Sequence, residues 1–252
     1  MVFPVHMISV PIPVRKYLES ADLSGLDYFF AVATHGGTPG NVGGFINHLL
    51  NRRGNRRLDD FFTIRMILNT PKGVAPRPLM TMNWAEKIAT REVHAMLERT
   101  DAELSVIAGK IIARRRNAEI PESPIAQNRS LHAGGLSRLL WKVTDGSRPE
   151  LDFLLDEESC TKCGICCRVC PTGRVRQTVA TPRWDDSRQC WFCYACFNFC
   201  PEQAVGVKHY TFKTGRYHHP QISADDVAAQ KFCRRRRPDG EVTFASYSAV
   251  RR

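Results

Sequence analysis

The chain has 252 residues, 43% hydrophobic and 24% charged, with a net charge of +11. That balance is ordinary for a globular protein and allows one large domain or two modest ones. No apolar run reaches the roughly 18 residues a membrane span requires. The opening stretch MVFPVHMISVPIPV has no basic segment before its apolar residues, and its three prolines disfavour a signal-peptide helix, so the chain reads as cytoplasmic.

In chain order, MVFPVHMISV is apolar and β-branched, and predicts a strand running into a loop. PVRKYLES (13–20) predicts a short amphipathic helix, and LDYFFAVA (26–33) a buried strand. THGGTPGNVGG (34–44) holds five glycines and reads as a loop. FINHLLNRR (45–53) predicts a helix with Phe45, Ile46, Leu49 and Leu50 on one face. FFTIRMILN (61–69) is a third strand, and PKGVAPRP is punctuation. A long helix is expected from Asn83 to about Arg115, with Asn83 as its cap and Glu86 three residues on. Alternating strands and helices imply an open, mostly parallel α/β sheet over 1–115. Three strands make that sheet thin.

Residues 116–150 are rich in Pro, Ser and Gly and read as a linker. A cysteine-rich module at 151–208 follows, then a polar tail at 209–252. The tail's RRRR at 234–237 is expected to be solvated and mobile. Charge is uneven along the chain. Segment 151–206 has 6 Lys/Arg against 7 Asp/Glu, whereas 1–150 has 20 against 14 and 207–252 has 10 against 4. The basic flanks suit a partner with an acidic surface, or serve solubility alone.

Nine of the ten cysteines lie in CTKCGICCRVCP (160–171) and CWFCYACFNFCP (190–201). Cytoplasmic thiols stay reduced, so such spacing argues for metal or redox chemistry rather than disulfides. Shifted by 30 residues, Cys160, Cys163, Cys166, Cys170 and Pro171 fall on Cys190, Cys193, Cys196, Cys200 and Pro201. Asp156 falls on Asp186 and Val175 on Val205. This is an internal duplication. Each copy reads C-x2-C-x2-C-x3-C-P, the bacterial ferredoxin signature, in which the fourth cysteine serves the other cluster. That signature assigns Cys160, Cys163, Cys166 and Cys200 to one [4Fe-4S] cluster. It assigns Cys190, Cys193, Cys196 and Cys170 to a second. The prolines bend the chain away after the fourth cysteine, and Gly164 permits close backbone approach. Trp191, Phe192, Tyr194, Phe197 and Phe199 either shield a cluster or simply pack a core. Zinc is the competing ligand, but zinc ribbons favour two C-x2-C pairs across a longer gap. Cys167 breaks the register and reads as a small buried residue; Cys233 reads as an ordinary thiol.

Most of the chain resembles bacterial flavodoxin–ferredoxin fusion proteins, in which an FMN-type flavodoxin-like domain precedes a two-cluster ferredoxin. FPVHMISVPIPVRKYL resembles the family's third strand, with His6 a departure from its usual Pro-Val-Tyr. FFAVATHGGTPGN resembles its fourth strand and flavin-facing loop, FTIRMILN its fifth strand, and the helix from 83 its last long helix. GRYHHP (215–220) resembles a recurrent family segment. The resemblance implies a truncated flavodoxin-like sheet followed by a ferredoxin-like βαββαβ module. It also implies flavin contacts from Thr34, His35, Gly36, Gly37, Thr38, Pro39 and Gly40.

The phosphate-binding loop that would follow the first strand has no counterpart, so FMN is expected to bind poorly. The sequence starts at what would be the third strand, so the expectation is a start codon further upstream or a degenerate domain kept as a scaffold. The function expected is electron transfer through two [4Fe-4S] clusters, coupled to a flavin here or in a redox protein partner. One alternative is a flavin-dependent iron–sulfur reductase of a small molecule. Another is a zinc- or nucleic-acid-binding protein, disfavoured because the cysteine segment itself is net −1.

Overall fold

The computed structural model describes residues 1–6, 9–54, 56–67, 90–114, 116, 120, 152–207, 216–232, 234–236 and 242–244. They form two compact units. One draws on Met1–Leu68 and Ala85–Leu151, the other on Asn69–Trp84 and Asp152–Arg252.

The first unit is a small mixed α/β body. Its elements are β1 (Val2–Pro4), α1 (Ile12–Ser20), β2 (Phe30–His35), α2 (Val42–Gly54), β3 (Asp60–Arg65) and α3 (Thr90–Ile112). The strands are parallel in the order β1-β2-β3, with Val2 opposite Val32 and Ala31 opposite Phe61. Side chains alternate across a strand, so each strand serves both faces. Phe3, Ala31, Ala33 and Phe61 pack on one face with Leu18 of α1 and Val42, Ile46 and Leu49 of α2. Val32 and Ile64 pack on the other with Ile107 of α3. Apolar residues on both faces account for the nearly continuous hydrophobic run of β2.

Several boundaries differ from expectation. β2 begins at Phe30 rather than Leu26. Arg56 donates to the carbonyls of Leu23 and Leu26, holding that stretch as a turn. α2 begins at Val42, so Gly43 and Gly44 belong to helix rather than loop. A Cβ on Gly43 would lie 2.6 Å from Ile120 Cγ2 and 2.9 Å from Phe61 Cδ1, and its absence lets the helix approach the sheet. α3 ends at Ile112, three residues before Arg115. The Asn83 cap, and nearly all of the expected linker, lie outside the described residues.

The second unit runs β4 (Phe153–Leu155), α4 (Ile165–Val169), β5 (Val175–Gln177), β6 (Pro182–Trp184), α5 (Ala195–Asn198) and β7 (Val205–Val207). β4 pairs antiparallel with β7, and β5 with β6. Each ladder therefore joins a strand from one cysteine-containing half to a strand from the other. Val169, Val175, Phe197, Val205 and Val207 are almost fully buried.

The polar tail is partly structured. Its α6 (Ala224–Phe232) lies against α4, and Arg168 pairs with Asp225. A capping box starts α6: the Asp226 amide donates to Ser223 Oγ, and the Ser223 amide donates to Asp226 Oδ2. The arginine run, expected to be mobile, instead contributes β8 (Arg234–Arg236), paired antiparallel with β9 (Val242–Phe244). The intervening sequence contains Pro-Asp-Gly, a turn signature that favours such a pairing.

Candidate metal centre

The 30-residue duplication extends to the backbone. Gly164 has φ +72° and Tyr194 has φ +53°; Lys162 has φ +59° and Phe192 has φ +54°; Gly173 and Gln203 form a third such pair at +65° and +55°. Hydrogen bonds repeat at the same offset. The Cys167 and Arg168 amides donate to the Gly164 carbonyl, as those of Phe197 and Asn198 do to Tyr194. The Gly173 amide donates to the Cys170 carbonyl, as that of Gln203 does to Cys200. Left-handed backbone costs an ordinary residue about 1–2 kcal/mol, so tight packing must hold Tyr194 and Phe192 in place. The tight turns bring cysteines i, i+3 and i+6 of the first run to the lining of one cavity.

The cysteines gather in two groups, and each group draws on both runs. Cys160, Cys163, Cys166 and Cys200 line one cavity of about 330 Å³, including the part open to solvent, together with Leu155 and Val205. Cys163 is exposed and Cys166 buried. Cys170, the last cysteine of the first run, lies close enough to Cys190, Cys193 and Cys196 to perturb the ionisation of all three. Among the described residues, no three His, Cys, Asp or Glu side chains meet closely enough to share a single metal ion. The thiols around the cavity enclose a volume.

Burial dominates the electrostatics of these thiols. It pushes Cys193 up to about 11, with Cys190 and Cys170 adding to the rise. It drives Cys196 well above the ordinary thiol range, and Cys166 likewise, where Cys167 and Cys200 contribute. For Cys170, burial acts upward but is outweighed. The Thr172 hydroxyl and the amides of Val175, Thr172 and Arg174 pull it below the ordinary value. Crowded buried thiols ionise together only when cationic metal compensates them, which couples metal binding to proton release.

Two arginines that the cysteine spacing did not reveal complete the site. Arg174 keeps only 8% of its side chain exposed and pairs with Asp186 at 2.6 Å. Its counterpart at the 30-residue offset is Ala204, so a cation standing where the repeat has an apolar core residue was the available signal. Arg216, from GRYHHP, donates to the carbonyls of Phe197, Gln203 (2.7 Å) and Val205 (2.6 Å), and lies 3.9 Å over the Phe197 ring. The Tyr217 amide donates to Asn198 Oδ1, and His218 stacks on Phe199 at 4.5 Å.

Residues 159–205 match the family model of the 4Fe-4S dicluster domain. This part of the chain is a ferredoxin-like iron–sulfur module. No curated protein and no solved structure matches the chain. Cys160 through Cys200, all eight register cysteines of the ferredoxin-like module, fall inside the matched span.

The expected flavin-facing residues lie in the other unit. Thr34 and His35 end β2, and Gly36, Gly37, Thr38, Pro39 and Gly40 form the loop that follows its carboxyl end. His35 Nδ1 is 2.8 Å from the Gly37 carbonyl oxygen, and the Gly40 amide donates to Thr38 Oγ1. These groups hold the loop's own shape. The comparisons do not extend to this unit.

Proposed function

We propose that the protein carries electrons through two [4Fe-4S] clusters. One would be held by Cys160, Cys163, Cys166 and Cys200, the other by Cys170, Cys190, Cys193 and Cys196. The observation that carries the reading is the cavity lined by three cysteines of the first run and the last of the second. The duplicated spacing and the dicluster-domain match support it.

A bound cubane supplies reversible one-electron chemistry. The chain's own residues do the rest. The eight register thiolates would hold the iron, and backbone amides around Cys170 direct N–H groups at its sulfur. The exposed edge at Cys163 gives a redox protein partner access. Lys162 and Glu202 beside that cavity present both signs of charge to it.

A flavin in the partner, or in this chain at Thr34–Gly40, would exchange electrons with the module. The loop offers backbone groups to a ring edge, but no phosphate cradle accompanies it among the described residues. The flavin-dependent reductase differs in requiring bound flavin and a substrate above that loop.

The test is reductive titration of anaerobically purified full-length chain. Broad visible absorption that bleaches with a one-electron reductant and returns on reoxidation is the expected result. A spectrum that does not respond, or one dominated by flavin bands, would contradict it.

A further inference from the structure

The two cysteine groups differ in their surroundings. The group at the cavity is open to solvent at Cys163. The group around Cys170 sits beside a buried cation. The Arg174 guanidinium faces the Cys190 thiol. Its side chain is 8% exposed, whereas its partner Asp186 is 69% exposed. The positive end of the pair is therefore inside and the negative end in water. Its Nε is buried without a hydrogen-bond partner. On its other side the guanidinium lies 6.0 Å from the centre of the Phe153 ring, which is itself stacked on Trp184. Nothing in sheet packing requires a cation here, since the repeat places buried Ala204 at the matching position.

We propose that Arg174 is a positioning residue that raises the reduction potential of the cluster held by Cys170, Cys190, Cys193 and Cys196, with Asp186 moderating it. The proposal rests on the two-cluster reading above. Reduction adds one electron and neither makes nor breaks a bond, so the added negative charge stays on iron and sulfur. A buried guanidinium next to a ligating sulfur stabilises that charge, while water screens the exposed Asp186 carboxylate far more strongly. The other cluster, whose cavity lining does not include Arg174, is left unchanged.

Potentiometric titration of the full chain, followed by electron paramagnetic resonance, tests this on wild type, Arg174→Gln, Arg174→Lys and Asp186→Asn. Iron content is measured on each. Arg174→Gln should move one of the two waves to more negative potential by a tenfold or greater change in equilibrium, about 59 mV for a one-electron couple. Arg174→Lys should restore most of the shift. Asp186→Asn should move the same wave the opposite way, because it unmasks the cation.

Loss of packing alone would not give shifts of opposite sign from the two partners of one pair. With both clusters present, unmoved waves, same-direction shifts or equal movement of both waves would overturn the assignment. If Arg174→Gln loses iron, Asp186→Asn decides: a positive shift supports the proposal and no shift overturns it. A wild-type chain that lacks the second cluster's iron removes the two-cluster reading, and this one with it.

Discussion

Arg216 uses its guanidinium on backbone oxygens at the end of one half of the module. It joins the carbonyl of Phe197, in α5, to those of Gln203 and Val205, at the entry to β7, while its planar face covers the Phe197 ring. Burial pulls its pKa down to about 10, against the opposing influence of Cys200 and Cys196, so it stays charged at neutral pH. Arg216→Ala should destabilise the module by at least about 3 kcal/mol, since hydrogen bonds from a charged group are worth roughly 1.5–3 kcal/mol each and the carbonyls lose their partner. Arg216→Lys should recover little of this, because an ammonium cannot reproduce the fork. Denaturation followed by visible absorbance reads both, and a lysine variant as resistant as wild type would refute the account. At this scale the cysteines were legible because ligation demands fixed spacing. Arg174 and Arg216 were not, because a guanidinium's role depends on which distant carbonyl or carboxylate the fold brings to it.

The turn before each short helix shows how one geometry is met by two residue types. Gly164 and Tyr194 occupy equivalent left-handed positions, and the carbonyl of each accepts from the third and fourth amides of the helix that follows. Tyr194 is 7% exposed, so its packing offsets its strained backbone. A Cβ on Gly164 would meet nothing nearer than Gln177 Oε1 at 3.9 Å, so space is not the constraint there. Gly164→Ala should therefore cost about 1–2 kcal/mol through φ alone, and Gly164→Asn less, since asparagine tolerates that region better. Equal losses in thermal denaturation of the two variants would show that φ is not the cause.

The same scale explains where sequence patterns fell short. The apolar runs of β2 and β3 and the amphipathic pattern of α1 were visible along the chain. The start of α2 was not, because Gly43 is set by contact with Phe61 and Ile120, residues distant in sequence. The β8–β9 pairing was signalled by Pro-Asp-Gly, which the adjacent charge run obscured.

Across the molecule, the second unit is assembled by exchange. In its cysteine module each ladder, β4 with β7 and β5 with β6, takes one strand from each half, and each cysteine group takes three members from one half and one from the other. Neither half can close its own sheet or complete its own thiol set, so folding and metal loading are expected to be one event. The duplication made this legible, since a repeat with a trailing fourth cysteine carries its own pairing logic. The parallel α/β character of the first unit was legible in its alternation of strands and helices, and apolar residues pack on both faces of its sheet. Among the described residues no helix is long and apolar enough to cross a membrane.

The most direct measurement is iron, acid-labile sulfide and zinc per chain after anaerobic purification. Two cubanes predict about eight iron and eight sulfide with no stoichiometric zinc. Stoichiometric zinc without sulfide would contradict the account at its centre.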